Sequence, residues 1–265
     1  MRPAATGRGS RAGAFTLIEL LVVVAIVALL ISILLPTLKA AKDKARFVKC
    51  ASHLRAQISA TRLYADENRD YLPFSNWILW QGHREVPLPG WLYTHRSRNF
   101  DRKLQRRLAG KDKALLWPYL KDDQLYRCPK HVIDPQYPNA GRYSWMLTSY
   151  LMNGAVNAFP WTYADARFYR IERFRNDAVI FWEPPWLEAI EGVDFDETGL
   201  NTWNDGSSYP TEWFTQRHGG ASTVAHIDGH CDTYDVAKWR KQIEFGPSPL
   251  WCAPNDEFGG GPHPQ

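Results

Sequence analysis

Residues 13–36, GAFTLIELLVVVAIVALLISILLP, decide how the rest of the chain is read. The 21 residues from Phe15 to Leu35 would form a helix about 31 Å long at about 1.5 Å rise each. That matches a hydrocarbon core of about 30 Å. A cleavable secretory signal has a shorter apolar region, about 7–15 residues, followed by a small-residue site. Here the small residues Gly13 and Ala14 come before the run, as does the basic leader MRPAATGRGSRAGA. The stretch therefore predicts a spanning helix. Glu19, near its start, is the anomaly. A carboxylate inside a span costs about 3 kcal/mol on insertion scales and marks a functional site by default. The plainer reading is a side chain that snorkels to the interface one turn into an ordinary anchor.

The helical pattern continues beyond Pro36 through TLKAAKDKARFVKCASHLRAQISATRLYADE. Leu38, Ala41, Ala45, Val48, Leu54, Ile58 and Leu63 recur at three, four or their sums, which predicts one apolar stripe. Turn residues in ENRDYLP end the helix near Glu67–Asn68. The expected domains are a leader (1–14), a transmembrane helix (15–36), a helical stem (37–68) and a globular head (69–265). The leader carries Arg2, Arg8 and Arg11, and the other flank carries Lys39, Lys42, Lys44, Arg46 and Lys49. Positive-inside counting alone does not favour a cytoplasmic leader.

The head is aromatic-rich, and the chain has 12 Trp, 12 Tyr and 12 Phe, enough for a substantial core. A net charge of +4, spread over the chain, leaves no nucleic-acid footprint. The run RNFDRKLQRRLAGKDK reads as a solvated face. WILWQGHREVPLPGWLY reads as loop with short strands, and YSWMLTSYLMNG and Ala178–Trp182 read as strands, the second stopped by Pro184-Pro185. Val224–Ile227 and His230–Tyr234 read as a hairpin around a type I′ Asp228-Gly229 turn. That register sets His226 opposite Cys231 and puts His226 and His230 on opposite faces, which argues against a compact His/Asp metal site there.

Four cysteines, Cys50, Cys128, Cys231 and Cys252, permit three disulfide pairings in an oxidising compartment. Reduced, buried thiols are the equal alternative. In DFDETGLNTWND, residues Asp194, Asp196, Thr198, Gly199 and Asp205 fall at positions one, three, five, six and twelve of an EF-hand-like loop. This makes calcium the one cofactor the residues raise, against a plain acidic loop. No Ser-His-Asp order, HExxH or phosphate loop points to an enzyme, and nothing pairs Glu183, Glu188 and Glu191 as glycosidase acids.

GAFTLIELLVVVAIVALL is similar to the amino terminus of type IV prepilins and type II secretion pseudopilins, commonly G-F-T-L-I-E-L-L-V-V-I-A-I. The resemblance implies a bacterial inner-membrane protein, crossing once, with its carboxy-terminal domain in the periplasm. It implies a cut by prepilin peptidase between Ala14 and Phe15, then methylation of the new amino terminus. In the family Gly usually precedes the cut; here it is Ala14, with Gly13 one step earlier. Glu19 would neutralise the Phe15 amine of a neighbouring subunit in a filament, because a paired charge in low dielectric is attractive where a lone one is expensive. CASHLRAQISATRLYADENRDYLP is similar to the C-x-x-N-L-K-Q-I…Y-x-x-D-N-x-G-x-L-P of pseudopilin-like proteins, with His53 where Asn is common. RHGGASTVAHIDGHCDTYDV resembles the H-X9-DG domain: nine residues separate His218 from Asp228-Gly229. There His218 is expected to tie the Gly219-Gly220 loop to the turn, through Asp228. Major pseudopilins bind calcium in the carboxy-terminal region, which implies the same for the 194–205 loop.

The expected fold is α+β, a long amino-terminal helix packed on a small antiparallel sheet. The expected function is a structural subunit whose partners are prepilin peptidase, other pseudopilin subunits and the inner membrane. The alternative is a membrane-tethered periplasmic module that binds glycan or peptide and forms no filament.

Overall fold

The computed structural model describes residues 16–77, 80–81, 84–85, 88–93, 114–131, 148–160, 164–185 and 206–262. The chain divides into two compact units, Met1–Lys44 and Ala45–Gln265. Helix α1, Leu17–Glu67, begins in the first and ends in the second.

Within the first unit, every large apolar side chain from Leu17 to Leu35 is exposed. Pro36 lies inside the helix and removes one backbone donor. Beside that gap the Thr37 hydroxyl donates to the Leu34 carbonyl at 2.9 Å, and the Ser32 hydroxyl to Leu29 at 2.7 Å. Such internal bonding is what a helix in hydrocarbon requires.

In the second unit the buried face of α1 is Cys50, Ala51, His53, Leu54, Gln57, Ile58, Ala60, Thr61 and Ala65. The expected stripe is corrected here. Leu54 and Ile58 are fully buried, but Val48 and Leu63 are about half exposed, at 54% and 51%. The polar residues win because they have partners. His53 Nδ1 lies 2.8 Å from the Arg127 carbonyl oxygen, and Gln57 Nε2 donates to the Leu125 carbonyl at 2.9 Å. A buried polar group that is hydrogen-bonded carries little penalty.

The sheet has five strands in the order β5-β3-β4-β6-β7. They are β3 Leu151–Asn153, β4 Val179–Trp182, β5 Ser207–Ser208, β6 Ala221–His226 and β7 Cys231–Asp235; a separate hairpin joins β1 Trp80–Gln81 to β2 Arg84–Glu85. Three pairings are antiparallel, but β3 and β5 run parallel, so the sheet is mixed. β4 is buried along its whole length, which is why VIFW reads as an unbroken apolar run. A bulge between Val179 and Phe181 puts Ile180 and Phe181 into the same core cluster, while Val179 and Trp182 join the other. Bulges work this way: two residues oppose one, and the alternation slips.

The two clusters mark two covered faces. One takes Cys50, Leu54 and Ile58 from α1 together with Trp91, Tyr126, Tyr150 and Phe181. The other gathers Trp182, Trp213, Phe214, Tyr234 and Trp239. Trp239 lies on a second helix, Val236–Glu244, started by Asp235, whose carboxylate accepts from Lys238 N at 2.7 Å. That cap satisfies an orphan donor. The head is thus α+β with helices on both sides of the sheet.

One loop position is demanding. Asn76 has φ +71° and is buried, and its side chain accepts from Leu92 N and donates to the Tyr93 carbonyl. A Cβ at Gly90 would lie 2.3 Å from that side chain, so only glycine fits there.

Candidate functional site

The start of α1 carries the first site. Gly13, Ala14 and Phe15 lie outside the described residues. Glu19 Oε2 accepts from Thr16 N and from the Thr16 hydroxyl, both at 2.8 Å, and Glu19 N donates back to Thr16 Oγ1 at 3.2 Å. This is a capping box, in which a hydroxyl at the N-cap and an acid three residues on satisfy each other's backbone donors. The TLIE spacing was its signal in the sequence. Glu19 therefore has a structural partner within its own chain.

The hairpin of β6 and β7 differs from its expected register. Ala225, not His226, faces Cys231; His226 N donates to the His230 carbonyl at 2.9 Å and Gly229 N to the His226 carbonyl at 3.0 Å. Gly229 has φ +99°, whereas Asp228 is not in the left-handed region. A type I′ turn needs positive φ at both central residues, so the connection is instead a three-residue loop with glycine in the left-handed position. That one-residue shift returns the two histidines to one face, where their rings stack at 3.9 Å. Asp228 pairs with His230 Nδ1 at 2.5 Å, and Arg62 from α1 donates to the Asp228 carbonyl.

His218 does not bind Asp228. It joins a buried cluster with Cys50, Cys128 and Glu183, whose four donor atoms all lie within 4.8 Å of one another. Cys50 comes from α1, Cys128 from the turn after Asp123–Tyr126, Glu183 from the end of β4 and His218 from the loop entering β6. Pro184-Pro185 stops β4 and leaves Glu183 at its tip. The Cys50 thiol donates to Glu183 Oε1 at 2.7 Å; His218 Nε2 lies 3.0 Å from the same oxygen and 3.4 Å from Cys128 Sγ. The Tyr150 hydroxyl donates to Cys50 Sγ at 3.3 Å, and Lys130 N to Cys128 Sγ at 3.4 Å. Arg217 Nη1 is 3.6 Å from Glu183 Oε2.

The charges of the cluster depend on one another. Burial pushes the Cys50 thiol well up, with Cys128 and Glu183 adding to the effect. Its hydrogen bond with Cys50 brings Cys128 down to about 7 against the burial that opposes it. Burial works to lower His218, but its bonds with Cys128 and Glu183 outweigh it and raise the imidazole to about 9. Burial likewise works to raise Glu183, and His218 and Arg217 outweigh it, so the carboxylate stays below its ordinary value.

Of the other predicted residues, all four cysteines are free thiols; Cys231 is half-buried on β7, and Cys252 lies in the core beside Asn153. The calcium loop, Asp194, Asp196, Thr198 and Asp205, lies outside the described residues. Glu183 was missed as a partner of His218. They stand 35 residues apart, and no local spacing joins an acid at a strand end to a histidine in a later loop.

The prokaryotic N-terminal methylation motif matches residues 9–35. No curated protein matches the chain, and no solved structure does. The motif is the substrate signal of prepilin peptidase, and it fits a type IV pilin or pseudopilin. Together with the exposed apolar part of α1, it suggests a single-pass membrane anchor on a structural subunit rather than an enzyme.

Proposed function

We propose that this chain is a pseudopilin-like structural subunit of a type II secretion or type IV pilus-like filament. Prepilin peptidase cuts it between Ala14 and Phe15 and methylates Phe15. Residues 15–36 then anchor it in the bacterial inner membrane, and residues 69–265 form a periplasmic head. The observation that carries this reading is the methylation motif at residues 9–35, with Glu19 kept inside an otherwise apolar run. In the filament, Glu19 leaves its own capping box to neutralise the Phe15 amine of an adjoining copy, which sets the axial register. The H-X9-DG resemblance at His218, Asp228 and Gly229 accompanies such leaders. Trp77, Trp91, Trp117, Trp182, Trp213, Trp239 and Trp251 belong to the core or pack against it.

Two measurements test this. Intact mass of the chain purified from its membrane is expected to show loss of residues 1–14 and one added methyl group; recovery with Met1 attached overturns the reading. Glu19→Val and Glu19→Gln are then compared by cross-linking of neighbouring subunits. Glutamine keeps the capping box but not the charge. Loss of cross-links in both variants supports charge pairing. Normal cross-linking of Glu19→Gln rejects it.

A further inference from the structure

We propose that Cys50, Cys128, Glu183 and His218 form a closed, tetrahedral, structural site for a zinc ion. The inference is independent of the filament reading.

Donor chemistry comes first. Two thiols, one imidazole and one carboxylate are the side chains zinc takes, and sulfur donors disfavour magnesium and calcium. Bonds of about 2.3 Å to sulfur and 2.0–2.2 Å to nitrogen or oxygen set neighbouring donors about 3.3–3.8 Å apart around a tetrahedron. The contacts here are 2.7, 3.0 and 3.4 Å, and no two donors lie more than 4.8 Å apart. Bringing all four to one centre opens the Cys50–Glu183 pair by about 1 Å and the two His218 pairs by about 0.2–0.4 Å, and closes the widest pairs by up to about 1 Å.

Burial says which kind of site this is. Cys50 and Glu183 are fully buried, as is the side chain of His218, and Cys128 is 2% exposed. Four protein donors with no solvent face leave no position for substrate, which marks a structural rather than a catalytic site. The second observation is the carboxylate itself. Among the described residues, Glu183 Oε2 is buried without a hydrogen-bond partner, with Arg217 at 3.6 Å. A core acid is costly unless its charge is compensated; without a metal, His218 and Arg217 supply that compensation. With zinc bound, two thiolates and one carboxylate face two positive charges on the ion and one on Arg217, so the interior is neutral.

The surroundings also fit. Tyr150 and the Lys130 backbone N–H each donate to one sulfur, as outer partners of thiolate ligands do. Each thiol still protonated and the Nε2 of His218 lose their protons to solvent as the zinc–sulfur and zinc–nitrogen bonds form. The site would pin α1 to β4, to the turn before β3 and to the loop entering β6, since its donors come from four separate places in the chain.

The test uses the full chain in detergent, with zinc or cobalt(II) as the probe. One zinc per chain by elemental analysis is expected, along with thiolate-to-cobalt charge-transfer absorption after exchange. Zinc is expected to raise the melting temperature and to shield Cys50 and Cys128 from alkylation until a chelator is added. Cys128→Ser should abolish the charge-transfer band, whereas Cys252→Ser, at a buried cysteine outside the cluster, should retain it. Tyr150→Phe should weaken zinc binding by about 10-fold. Should Cys128→Ser not fold, the alkylation readout on the unaltered chain decides alone. Absence of stoichiometric zinc, of a melting shift and of cobalt absorption overturns the site. So does a Cys50–Cys128 disulfide in the protein isolated from cells.

Discussion

His226 shows how much one side chain's surroundings decide. It is buried on β6, its Nδ1–H donates to the Asp177 carbonyl at 2.7 Å, and its ring stacks on His230. Burial, chiefly, lowers its pKa from the ordinary 6.5; His230 pushes the same way, while Asp177, Asp232 and Asp228 oppose. The folded state thus keeps a neutral imidazole that the unfolded chain protonates. Above pH 6.5 neither state is charged and the contribution to stability is complete. As pH falls through that value the unfolded state takes up a proton, and stability declines by at most about 1.4 kcal/mol per pH unit for this group. His53 and His131 shift in the same direction, and His218 in the opposite one, so the slope of the unaltered head combines their contributions with the His226 share. His226→Asn keeps a donor for Asp177 without the titration. Denaturant melts at pH 7.5 and 5.5 should show a shallower decline in this variant, whatever its stability at pH 7.5; an equal slope would reject the assignment.

At the level of elements, α1 carries two stretches of different purpose, one in each unit. Up to Leu35 its large apolar side chains are all exposed. From Cys50 its buried face mixes Leu54 and Ile58 with His53, Gln57 and Thr61. Apolar periodicity alone put Val48 and Leu63 in the stripe, because it ignores polar residues that find carbonyl partners. Truncation separates the two accounts. Ile58→Ala should destabilise the head by about 2–5 kcal/mol, and Leu63→Ala by no more than about 0.5 kcal/mol, read from chemical denaturation. Similar losses at both positions would restore the simple stripe. The hairpin makes a related point. Asp228-Gly229 announces a turn in either register, but only the backbone bonds of His226 select the three-residue loop.

For the whole molecule, two units with opposite surfaces share one chain. The first exposes a continuous apolar helix from Leu17 to Leu35, whereas the second buries its large aromatics in two clusters about a sheet. An exposed apolar surface of that extent demands lipid or detergent. Detergent phase partitioning should send the full chain to the detergent-rich phase and residues 45–265 to the aqueous phase. A full chain that stays in the aqueous phase would remove the case for a membrane anchor.

The sequence by itself determined the apolar helix of membrane length, the methylation motif, the α+β class, the end of α1 near Glu67 and the apolar strand before Pro184-Pro185. These depend on local pattern: an apolar run of membrane length, a helical period, a proline stop. Only the tertiary structure decided that β5 pairs parallel to β3, that Trp239 sits on a second helix covering the other face of the sheet, and that Cys50, Cys128, Glu183 and His218 meet. Those four residues are up to 168 positions apart. Which long-range groups meet is fixed by how α1 and the strands bury their faces, and no local spacing along the chain carries that information.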